Sequence, residues 1–119
     1  MSQQTKLAVC LLANGESGEH FQCCLSSILK HTPLDQVELR LAFGEARYSF
    51  NYALGTLCPG GVWPTRCLLP GEVERFGWTA KEGFRVWAWN SPRSLTREQL
   101  ARLLFHDVPL EGEYAICLD

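Results

Sequence analysis

Lys6-Leu7-Ala8-Val9-Cys10-Leu11-Leu12 is an unbroken apolar run behind a single cation, and Asn14-Gly15 follows it closely. A run without polar alternation predicts a strand buried on both faces, and Asn-Gly is a turn signal. Such strands belong to parallel sheets covered by helices. Over residues 18–30 the apolar positions Phe21, Leu25, Ile28 and Leu29 recur at helical spacing. His31-Thr32-Pro33 then closes the segment, because the residue before a proline is pushed out of helical backbone.

The same alternation continues. Residues 37–43 alternate apolar with polar or small side chains, which predicts a second strand nearer a sheet edge. Gly44-Glu45-Ala46 turns the chain. Phe50, Ala53, Leu54 and Leu57 predict a short second helix that stops before Pro59-Gly60-Gly61. Residues 58–71 hold three prolines and three glycines and read as irregular. Residues 73–78 read as a third strand, and residues 84–89 as a strand or the approach to a loop. Trp87 and Trp89 in that stretch fit either core packing or stacking against a ligand.

Residues 94–106 give the clearest helix, with Thr96-x-x-Gln99 as a capping box and Leu100, Leu103 and Leu104 on one face. Glu111-Gly112-Glu113 leads into a last apolar strand, Tyr114-Ala115-Ile116-Cys117-Leu118, which runs into Asp119. Strands alternating with helices fold as a parallel sheet with helices on its faces. The expected class is α/β, in three α/β/α layers, with residues 1–119 forming one domain or part of one.

Composition narrows the function classes. The 119 residues are 46% hydrophobic with a net charge of −2. No Lys/Arg cluster is present to neutralise a phosphate backbone, so nucleic acid is not an expected partner. The amino terminus lacks the features of a leader or a membrane span, which implies a cytoplasmic protein. Six cysteines contain no C-x-x-C pair. Cys10 and Cys117 fall in apolar strands and Cys23-Cys24 in a helical pattern, so the cysteines read as reduced, small hydrophobes.

In a parallel sheet, ligands sit outside the carboxyl ends of the strands. Residues 13–16, residues 44–47 and whatever follows Asp119 gather there. Neither a Gly-x-Gly-x-x-Gly nor a Gly-x-x-x-x-Gly-Lys phosphate cradle occurs. His20, His31 and His106 lie on or beside helices and read as surface residues. Glu45 either accepts hydrogen bonds from a base or ribose edge, or only supports the turn or caps the next helix. Asp119, at the end of an apolar strand, is where a Mg²⁺ or Mn²⁺ site would begin, completed by a second carboxylate just beyond it. These features lead us to expect the front half of a larger catalytic domain.

Strand 6–12 leading to Ala13-Asn14, followed by a helix bearing Phe21-x-x-Cys24-Leu25-x-Ser27-Ile28-Leu29, resembles the opening of family-two, A-type glycosyltransferases. The final helix followed by Glu111-Gly112-Glu113, the apolar strand and Asp119 resembles that family's approach to its Asp-x-Asp motif. The resemblance implies a Rossmann-like nucleotide-binding half, a nucleoside-diphosphate-sugar donor, a divalent cation and an acceptor bound elsewhere. Carried over position by position, Ala13 and Asn14 lie along the nucleotide and Glu45 stands near the base. Asp119 matches the first metal-binding Asp, while Asn90 and Arg93 either reach the diphosphate or are solvated loop residues. The family's Asp-Asp-Gly-Ser is here Phe43-Gly44-Glu45-Ala46, and its Asn-x-Gly stretch is Trp89-Asn90-Ser91-Pro92-Arg93. A fragment of this kind is expected to be inactive alone and to self-associate through an uncovered sheet edge. The alternative from the residues is a small non-catalytic α/β module that binds a nucleotide or another protein.

Overall fold

An apolar run flanked by turns is best buried in the middle of a sheet with helices on both sides. The computed structural model describes residues 7–15, 18–58, 60, 64–110, 112 and 114–118. In it the run forms β1 (Leu7–Asn14), paired in parallel with β2 (Val37–Gly44) on one side and β6 (Tyr114–Leu118) on the other. Outside β2 lies β5 (Arg85–Ser91), also parallel; β4 (Glu74–Thr79) and β3 (Thr65–Leu68) follow in antiparallel order. The full order is β3-β4-β5-β2-β1-β6. All four of these strands run the same way, but the order in which the chain adds them reverses at β1, with β2 and then β5 to one side and β6 to the other.

Two helices, α1 (Gly18–His31) and α2 (Arg47–Leu57), bury Phe21, Leu25, Ile28, Phe50, Ala53 and Leu57 against Val9, Leu11, Leu39, Leu41 and Phe43. The opposite face carries α3 (Arg97–Arg102), whose Leu100 packs with Leu104 over Ala8, Cys10, Ala42 and Trp89. Alternate strand residues therefore feed two separate cores, and the molecule has three layers.

Four expectations need correction. β2 is not near an edge: it lies between β1 and β5, and all eight of its residues are buried. Its polar positions are explained by an internal ion pair, Arg40 Nε to Glu38 Oε1 at 2.6 Å, with both side chains out of contact with solvent. The expected irregular segment contains β3 and a 3₁₀ turn, Pro70–Glu72, although residues 59 and 61–63 lie outside the described set. The sheet is mixed rather than wholly parallel. The last helix begins at Arg97, behind its N-cap Thr96, rather than at Ser94, and passes into a single π-helical turn, Leu103–Asp107.

Arg40 accounts for that turn. Its guanidinium donates to the carbonyl oxygens of Leu104 and Val108 at 2.6 Å each and of Pro109 at 2.7 Å, collecting the acceptors left open at a helix end. At the other end the capping box is formed, Gln99 N to Thr96 Oγ1 at 3.1 Å and Thr96 N to Gln99 Oε1 at 2.9 Å. Thr96→Ala should therefore cost about 1 kcal/mol. A lower urea midpoint at unchanged slope would show it.

The three histidines are exposed, and none of the six cysteines is in a disulfide. Burial, then the adjacent thiol of Cys117, pushes the Cys10 thiol up to about 12. Trp89 is buried and donates Nε1–H to Asp107 Oδ2 at 2.7 Å, whereas Trp87 is half-buried under the Arg85 guanidinium at 4.4 Å. On the edge strand β6, Tyr114 and Ile116 are 64% and 47% exposed. None of the described helices is long and apolar enough to cross a membrane.

Candidate functional site

The carboxyl ends of β1, β2 and β5 are laced together by backbone hydrogen bonds. Gly15 N donates to Gly44 O at 2.8 Å, and Glu45 N donates to Ser91 O at 3.1 Å. The second bond holds Glu45 in left-handed backbone at φ 51°, a conformation that costs a non-glycine residue about 1–3 kcal/mol. Glu72, the last residue of the 3₁₀ turn before β4, is also in left-handed backbone, at φ 65°.

Between these strand ends lies a pocket of about 300 Å³ lined by Glu45, Ala46, Arg47, Glu72, Glu74, Asn90, Ser91 and Pro92. It combines carboxylates, which only accept hydrogen bonds, with the amide of Asn90 and the guanidinium of Arg47, which donate. The first residue of α2 is in its wall. The helix N-cap is Ala46, which contributes no side-chain acceptor, and no acidic residue stands in the first turn. The N-cap side chain thus supplies no acceptor to the first N–H groups of that helix, a condition that favours an anion. Glu45 does not cap α2.

Of the residues expected from sequence, Glu45 and Asn90 meet in this pocket. Ala13 is a core residue at the end of β1. Asn14 binds the loop after β5: its Nδ2 donates to Leu95 O at 2.6 Å, and its Oδ1 accepts from Ser94 Oγ at 3.0 Å and from Leu95 N at 3.2 Å. Arg93 is exposed and does not line the pocket; its guanidinium lies 3.9 Å from the carboxylate of Glu72, which does. Asp119 lies outside the described residues.

Glu72 and Glu74 escaped the sequence reading because an antiparallel strand brings its start, rather than its end, to the carboxyl edge of a parallel one. Glu74 pairs in register with Asn90. Arg47 and Ser91 adjoin residues that were named, and the loop positions themselves were the available signal. Among the described residues no three His, Cys, Asp or Glu side chains converge on a point that could hold a metal ion. Comparison of the chain with protein-family models, with curated proteins and with solved structures gives no match.

Proposed function

We propose that this chain is the nucleotide-sugar-binding half of a metal-dependent glycosyltransferase, a Rossmann-like cytoplasmic fragment without turnover of its own. The observation that supports it best is the composition of the pocket at the carboxyl ends of β2 and β5. A nucleoside diphosphate has hydroxyl and N–H donors at one end and phosphate oxygens at the other. Glu45 accepts from the ribose or base, and Asn90 serves either role. Arg47 and the uncapped start of α2 take phosphate oxygens.

Glu72 and Glu74 bias the pocket interior toward the donor-rich end of the nucleotide and turn the phosphates outward, toward Arg93. A Mg²⁺ or Mn²⁺ ion held at Asp119 would neutralise the departing diphosphate. The described residues supply binding and orientation.

The test is calorimetric titration of the chain with UDP and GDP, with and without Mg²⁺. Saturable binding is expected, weakened about tenfold in Glu45→Ala, since the donors it serves lose their acceptor. If no nucleoside diphosphate binds under any of these conditions, the reading fails. The non-catalytic interaction module, which the apolar exposed edge of β6 favours, then takes its place.

A further inference from the structure

We propose that His20 and Cys24 chelate a thiophilic transition-metal ion, of the Zn²⁺ class, on α1. This site is independent of the nucleotide reading and lies outside the carboxylate-lined pocket. The two side chains are one helical turn apart, so they stand on the same face. Their ligating atoms, His20 Nε2 and Cys24 Sγ, are 3.7 Å apart. A tetrahedral zinc ion with Zn–S of about 2.3 Å and Zn–N of about 2.0–2.1 Å separates its sulfur and nitrogen ligands by about 3.6 Å. The separation of the two ligating atoms therefore matches that of two ligands sharing one zinc ion.

The helix supplies the preorganisation. Phe21, Leu25 and Ile28 fix the rotation of α1 by their burial, which leaves His20 exposed and Cys24 half-buried. Cys23 is exposed and adjacent to Cys24 in the chain, so it stands on a different part of the helix surface and is not part of the pair. The described side chains do not form a converged set of three, so the site is an open two-residue chelate whose remaining positions belong to water.

Ligand chemistry sets the selectivity. A thiolate with an imidazole favours Zn²⁺, Co²⁺ and other borderline or soft ions, while Mg²⁺ prefers oxygen. Binding replaces the Cys24 thiol proton with the metal and releases that proton to solvent. The ordinary alternative is a surface hydrogen bond between thiol and imidazole, which the same geometry accommodates.

Co²⁺ titration of the full chain, in a thiol-free reductant, separates the two. We expect a thiolate-to-cobalt charge-transfer band that saturates at one ion per chain, is displaced by Zn²⁺ and is unaffected by excess Mg²⁺. Cys24→Ser should abolish it, and His20→Ala should weaken binding at least about tenfold. His20 is exposed, so its variant tests the site even if Cys24→Ser perturbs the fold. A band that persists in Cys24→Ser, or undiminished affinity in His20→Ala, overturns the proposal.

Discussion

Arg40→Met is expected to destabilise the fold by about 3–5 kcal/mol, a large share of the roughly 5–15 kcal/mol that holds a typical domain together. Two losses combine. Glu38 is fully buried and Arg40 Nε is its ion-pair partner, so the substitution strands a carboxylate away from water. Among the described residues Glu38 Oε2 already lacks a hydrogen-bond partner, which leaves the remaining anion poorly compensated. In addition, the carbonyl oxygens of Leu104, Val108 and Pro109 lose their shared donor; an unmade bond at a buried acceptor, as at Leu104, costs about 1–3 kcal/mol, and the two part-buried ones cost less.

The double variant Glu38→Leu/Arg40→Met apportions the two. Removing both charges relieves the stranded carboxylate, and apolar replacement of a buried pair is often neutral or better. Only the carbonyl loss should then remain. Urea unfolding of the single and double variants gives the comparison. A loss below about 1 kcal/mol for Arg40→Met would mean that the pair and the three carbonyl bonds contribute little.

The same pair shows why the sequence was legible in some places and not in others. β1 could be read because burial on both faces leaves one signature, continuous apolar residues. In β2 the alternation of Glu38 and Arg40 with Val37, Leu39 and Leu41 has the pattern of a strand facing water on one side. The distinction is made 64 residues later, where Leu104 places a carbonyl over Arg40. No local pattern carries that information. The π-helical turn is invisible for the same reason, since its acceptors are satisfied from another strand.

β3 was hidden differently. Thr65-Arg66-Cys67-Leu68 is short, and none of its residues is fully buried, so it offers little periodicity. Its pairing with β4 carries the strand. At the site, Glu45 and Asn90 were accessible to reasoning because loops after parallel strands converge. Asn14 was located correctly at a strand end, but its side chain binds the loop at residues 94–95, a partner that only the register of β1, β2 and β5 brings close.

That loop rests on Gly44, and Gly44→Ala is the second substitution expected to have a large effect. A Cβ at this position would stand 2.7 Å from Asn14 Oδ1, 3.0 Å from Leu95 N and 3.3 Å from Arg93 O. The last two are backbone atoms, so no rotamer change clears them. Overpacking of this kind costs about 1–3 kcal/mol, and each Asn14 hydrogen bond that breaks adds about 1 kcal/mol. Asn14→Ala should be costly in the native background and much less so beside Gly44→Ala, because the alanine has already lifted the loop from Asn14. The cycle should therefore show a coupling of about 0.5–3 kcal/mol. Hydrogen exchange supplies a local readout, with the Leu95 amide losing protection in both single variants. Ser91 and Pro92, which wall the pocket, are continuous with this loop, so nucleotide affinity should fall in Gly44→Ala along with stability. Additive losses, or a Leu95 amide that stays protected, would show that the wall of the pocket is held in place by something other than the contact between Asn14, Gly44 and Leu95.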